Sequence, residues 1–137
     1  MTEQITPEYL SFATEHHASD IFIIAGRPLS FKINGKLSIY GERLMPADTE
    51  ILLRQIYQMS NNRNFDRFLE IGDDDFSFSI PGLSRFRVNT YRQRGSLAAV
   101  IRVIAFELPD PGILNIPEDV MSVSDFTKGM VLVTGCL

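Results

Sequence analysis

The chain has 137 residues, 45% hydrophobic and 22% charged, which suits a globular domain with a core of its own. A formal charge of −4 and a pI near 5.1 argue against a general nucleic-acid binder, and no apolar run approaches the roughly 18 residues of a membrane span. The N-terminus MTEQITPEYL lacks the basic-then-apolar layout of a signal peptide, and the single cysteine, Cys136, cannot form an internal disulfide, so a reducing, cytoplasmic setting is expected.

Ile5, Tyr9, Leu10, Phe12 and Ala13 recur at helical spacing, with Thr6 as the expected cap and Pro7 in the first turn. Ala18-Ser19-Asp20 breaks this helix, and residues 21–25 read as a short buried strand. After Gly26-Arg27-Pro28, Leu29, Phe31 and Ile33 alternate with polar neighbours. Asn34-Gly35 then marks a hairpin, because a type I′ turn needs positive φ at both central residues, and 37–40 is the return strand. Helical periodicity resumes over 47–59, with Asp48 near the start and Ile51, Leu52, Gln55, Ile56 and Met59 as the expected apolar stripe. A second helix is expected from about 63 to 71, carrying Phe65, Phe68 and Leu69 and ended by Gly72. Three strand-like runs follow at 75–80, 85–92 and 97–106, with turns at Pro81-Gly82 and Arg94-Gly95. The order predicts an α+β domain built on an antiparallel sheet with flanking helices.

Past Phe106 the texture changes. Leu108-Pro109-Asp110-Pro111-Gly112 reads as part of an inter-domain linker over 107–117, after a domain of residues 1–106. Pro117 suits the first turn of a short helix to about 126, although Ile116 is a poor cap. Met130-Val131-Leu132-Val133-Thr134 has the continuous apolar pattern of a strand buried on both faces of a parallel sheet. Gly135 then stands where a phosphate-binding loop opens, yet such a loop needs five more residues and a Lys-Ser or Lys-Thr pair, and only Cys136 and Leu137 follow. Residues 118–137 are therefore expected to be the truncated beginning of a second domain.

Residues 84–104 are the most chemically suggestive stretch. Alternation places Phe86, Val88 and Thr90 on one face of a strand and Arg85, Arg87, Asn89 and Tyr91 on the other. A two-residue turn at Arg94-Gly95, or a four-residue loop over 93–96, sets Arg87 directly opposite Arg102, whereas a three-residue loop breaks that pairing. Two opposed arginines are mutually unfavourable. A bound phosphate could compensate, as could carboxylates such as Asp73, Asp74 or Asp75, or simple hydration. No complete catalytic constellation accompanies them. His16 and His17, adjacent on a helix, point to different faces, and no other histidine exists to build a zinc or general-base site. The Asp73–Asp75 run lacks a second carboxylate cluster, so no metal site is expected.

Taken in order, Ala18-Ser19-Asp20-Ile21, Ile33-Asn34-Gly35-Lys36-Leu37, Asp75-Phe76-Ser77, RFRVN at 85–89, QRG at 93–95, AVIRVI at 99–104 and KGMVLVTG at 128–135 resemble the type IV pilus retraction ATPases. These are twitching-motility motors of the PilT family, within the secretion ATPase superfamily. The resemblance runs along essentially the whole chain. It implies a PAS-like N-terminal domain joined by a linker to the start of a RecA-like ATPase domain. It also implies a cytoplasmic homo-hexamer using ATP and Mg²⁺ and working with the pilus assembly machinery at the inner face of the membrane, without nucleic acid. By motif position, Arg87 and Arg102 match best the arginines that contact phosphates in the complete motor, with Arg85 and Arg94 next, and Gly135 opens the phosphate-binding loop. Family members continue from VTG into that loop. This chain alone is therefore expected to hold no cofactor and to hydrolyse no ATP. The alternatives are a stand-alone interaction module or a PAS-like ligand sensor.

Overall fold

The computed structural model describes residues 7–104, 112 and 114–135, which belong to two units, Met1–Phe106 and Glu107–Leu137. In the first unit the chain forms α1 (Glu8–Glu15), β1 (Asp20–Ile23), β2 (Pro28–Ile33), β3 (Lys36–Arg43), α2 (Pro46–Met59), α3 (Phe65–Ile71), β4 (Asp73–Ile80), β5 (Ser84–Gln93) and β6 (Ser96–Ile104). The strands make one sheet in the order β3-β2-β1-β6-β5-β4, with every neighbouring pair antiparallel. Two three-stranded meanders are thus joined at the centre by β1 and β6, where Ile21 pairs with Ile101 and Phe22 with Val100. The predicted antiparallel α+β architecture is present.

Local chemistry explains most boundaries. Asn34 and Gly35 have φ of 51° and 75°, and Arg94 and Gly95 have 46° and 82°, the positive values at both centres that two-residue hairpins require. Helix α1 starts after Pro7, which serves as the cap residue rather than entering the first turn; Ile5 and Thr6 lie outside the described residues. In α2, Pro46 opens the first turn and the Met45 N–H donates to Asp48 Oδ2 at 2.7 Å. The Asn64 side chain caps α3 by accepting from the Arg67 N–H at 3.1 Å, and Gly72 ends the helix in the left-handed conformation at φ 92°.

The expected stripe on α2 is corrected in part: Ile56 is buried and Leu52 and Met59 pack against the core, but Thr49, Leu53 and Tyr57 complete the buried face and Ile51 is 65% exposed. Ile51 lies two residues from Leu53, about 200° around the helix, so the two cannot face the same core. That core lies on one face of the sheet. Ile21, Ile23, Phe31, Phe86, Val88 and Ile101 pack there against Leu10 and Ala13 of α1, Leu53 and Ile56 of α2, and Phe68 of α3. Burying Phe86 and Val88 from β5 leaves Arg85, Arg87 and Asn89 exposed on the opposite face.

In the second unit, Pro117 precedes α4 (Glu118–Met121) as its cap residue, and a 3₁₀ turn continues it over Ser122–Asp125. The strand expected at 130–134 is not formed: among the described residues this run pairs with nothing, and Met130, Leu132 and Val133 are exposed. A strand exists only through a ladder with a neighbour, so apolar and β-branched residues alone do not make one. The expected linker stretch 107–111, residue 113, the end of the strand-like run at 105–106, and Cys136 lie outside the described residues. Among the described residues, no helix is long and apolar enough to cross a membrane.

Candidate functional site

The two-residue turn at Arg94-Gly95 sets Gln93 against Ser96 and Arg87 directly against Arg102, as the turn length predicts. Both arginines are largely exposed, at 63% and 72% of the side chain. Flanking strands supply the compensating charge. From β4, Asp75 accepts from Arg87 Nε at 3.4 Å and from Nη2 at 3.1 Å. From β1, Asp20 stands opposite Arg102, with Oδ1 3.7 Å from Nε. Arg85 donates from Nη2 to Ser77 Oγ at 3.3 Å. Of the compensations open to the sequence, carboxylate pairing is present. Asp75 is one of the three predicted partners; Asp20 is not, because it arrives through the β1–β6 pairing.

The Asp75 carboxylate raises the pKa of Arg87, which stays charged throughout the physiological range. Ion pairs this open to water contribute little and exchange readily with other anions. Arg85, Arg87, Asp75, Ser77 and Ile104 line an open cleft of about 370 Å³. Its guanidinium groups can engage planar or tetrahedral oxyanions bidentately. Arg94 is not part of this cluster: at the hairpin tip it lies seven residues from Arg87, roughly 20 Å along the strand. Gly135 belongs to the second unit and is exposed there.

A second polar constellation escaped the sequence reading. The alternation that turns Phe76 and Phe78 inward also turns Asp74 inward. There it accepts from the Tyr57 hydroxyl at 2.8 Å and, bidentately, from Arg63 Nε and Nη2 at 2.8 Å each. Tyr57 Oη also lies 2.8 Å from Thr90 Oγ1. The Arg63 hydrogen bonds hold the Asp74 carboxyl below its ordinary pKa, and burial pushes the Tyr57 hydroxyl up. Arg63 also lies over the Phe76 ring at 4.7 Å, and Tyr57 meets that ring edge-on at 4.9 Å. This network ties α2, the α2–α3 connection and β4 together, which is a structural role. An inward-facing acid in a strand was the signal for it.

The histidines do not converge. His16 Nδ1 donates to the Phe12 carbonyl at 2.9 Å, while His17 leaves the helix at φ 54°. Among the described residues, no three His, Cys, Asp or Glu side chains cluster as a metal ion requires.

No family model matches the chain. The chain is 34% identical to the type IV pilus retraction ATPase PilT of Pseudomonas aeruginosa over 93% of its length and 37% of the relative. It is 30% identical to the type IV pilus ATPase PilU of the same organism, over 92% of this chain and 32% of that protein. A twitching motility protein of Neisseria gonorrhoeae is 37% identical over 60% of this chain and 19% of its own length. Among solved structures, that of the pilus retraction motor PilT with bound ADP superposes with a TM-score of 0.67 at 32% identity, covering 92% of this chain and 36% of that one. The Legionella pneumophila ATPase DotB shares the fold, with a TM-score of 0.57 at 24% identity over 88% of this chain and 35% of its own. The chain thus spans about a third of the length of the two Pseudomonas aeruginosa relatives. In sequence and in fold, over the region that it spans, this chain is similar to the N-terminal region of the PilT family of type IV pilus retraction ATPases.

Proposed function

We propose that this chain is the N-terminal domain of a pilus retraction motor, directing Arg87 and Arg102 at the phosphates of ATP bound by a RecA-like domain. In this reading Arg85 flanks the pair, residues 107–117 link the domains, and 118–137 begin the RecA-like domain. Six like subunits form a ring on the cytoplasmic side of the membrane, where the ring engages the pilus assembly machinery. The observation that carries the reading is the opposition of Arg87 and Arg102 across β5 and β6. Among the described residues, Arg87 is held by the exposed Asp75 and Arg102 by a 3.7 Å contact with the partly buried Asp20, in a chain 34% identical to PilT.

The chemistry follows from that loose hold. When phosphate oxygens approach, each guanidinium can exchange Asp75 or Asp20 for them and keep its charge compensated. Such contacts position the phosphates and stabilise charge that develops on them during transfer. Mg²⁺, a phosphate-binding loop and a water-orienting residue supply the rest of the catalysis. The 137 residues include Gly135 but no Lys-Ser or Lys-Thr pair. This polypeptide is therefore expected to turn over no ATP and to bind nucleotide with at most millimolar affinity, on the order of 4 kcal/mol.

Two measurements test the proposal. Calorimetric titration of the 137-residue chain with MgATP should show no saturable micromolar binding. In a protein that continues into a complete RecA-like domain, Arg87→Ala or Arg102→Ala should lower kcat by about 100-fold or more while nucleotide still binds. Unchanged turnover in both variants would sink the assignment.

A further inference from the structure

A second basic cleft, of about 380 Å³, lies between the β1–β2 turn and the β5–β6 hairpin. Arg27, Tyr91, Gln93, Arg94 and Ser96 line it beside Ile24, and no carboxylate does. Arg54, Arg63, Arg87 and Arg102 each have a carboxylate partner. Arg27 and Arg94, in contrast, have no side-chain hydrogen bond or ion pair among the described residues. Two uncompensated cations therefore face one concave surface.

The backbone holds both in place. The Arg27 N–H donates to Ile24 O at 3.3 Å, and its carbonyl accepts from the Leu44 N–H at 2.9 Å. Ser96 Oγ donates to Gln93 O at 2.9 Å across the hairpin mouth. Arg94 occupies the left-handed region at φ 46°, the position that the chain's other type I′ turn gives to Asn34. Asn suits that conformation because its short polar side chain bonds locally, whereas a long side chain meets the full steric cost. Turn stability therefore does not account for an arginine at this position.

We propose that this cleft binds a phosphate group, gripped from its two sides by Arg27 and Arg94, with Tyr91 as the apolar wall. Guanidinium geometry matches phosphate oxygens, and the lack of a carboxylate in the lining leaves both forks available. The phosphate can belong to a soluble ester or to a lipid headgroup.

The test titrates the 137-residue chain with inorganic pyrophosphate at constant ionic strength, following arginine Nε–H resonances, and in parallel measures cosedimentation with phosphatidylcholine vesicles containing phosphatidic acid. Saturable pyrophosphate binding, weakened about tenfold by Arg27→Gln and by Arg94→Asn but not by Arg67→Gln, supports the site with a soluble ligand. Arg67→Gln removes the same charge away from this cleft, and Arg94→Asn keeps the turn. Binding confined to the phosphatidic acid vesicles, with the same pattern of variants, supports the site with a lipid source. No saturable binding to either probe, or binding that both cleft variants leave intact, overturns the proposal.

Discussion

Replacing Asp74 with alanine should clearly destabilise the first unit. The Tyr57 hydroxyl, on a side chain only 1% exposed, loses a 2.8 Å bond to a carboxylate. A hydrogen bond to a charged group contributes about 1.5–3 kcal/mol. Arg63 is 40% exposed, so its bidentate pair is screened and adds about 0.5–1 kcal/mol. The sum is about 2–4 kcal/mol, a fall in Tm of roughly 8–30 °C for a unit of this size. Asp74→Asn keeps an acceptor for Tyr57 and loses mainly the charge, so it should cost less. Thermal and urea unfolding followed by circular dichroism measures both. Tyr57→Phe and Asp74→Ala should be non-additive by about 1 kcal/mol or more, because they delete the same bond. A cost for Asp74→Ala within about 0.5 kcal/mol of zero, or strict additivity of the pair, would refute the reasoning. The pH dependence follows the same residue. Its folded pKa is depressed below 3.8, so its contribution is complete above that value and is lost as pH falls through the lower folded one.

Other expectations are simpler to check. Leu53→Ala, at a fully buried site on α2, should cost about 2–5 kcal/mol in urea unfolding, whereas Ile51→Ala on the exposed arc should stay within about 0.5. Asp75→Asn should leave Tm unchanged, because its pair with Arg87 is open to solvent; a clear drop would show that the arginine is held more firmly than its exposure implies. Gly72→Ala should cost about 1 kcal/mol from left-handed strain alone, since an added Cβ meets no atom within 4 Å; a much larger loss would point to a steric clash instead.

Much of the β5–β6 site was legible from the chain alone. Which side chains share a face follows from strand alternation, and the Arg87–Arg102 register follows from the two residues of the Arg94-Gly95 turn. Both depend on neighbours a few positions away, as do the Asn34-Gly35 hairpin and the Gly72 helix end. The compensation of those arginines was legible only in part. Asp75 lies within the same local meander, but Asp20 meets Arg102 because β1 pairs with β6 across some eighty residues of sequence. The arc of α2 that is buried, and the inward network of Tyr57, Asp74 and Arg63, likewise depended on what the sheet placed opposite them. The run 130–134 marks the boundary from the other side: it has strand-forming residues but no ladder partner among the described residues, and so forms no strand. Local steric preference is written residue by residue, whereas burial and strand pairing are properties of contacts between distant segments, which only the folded chain brings together.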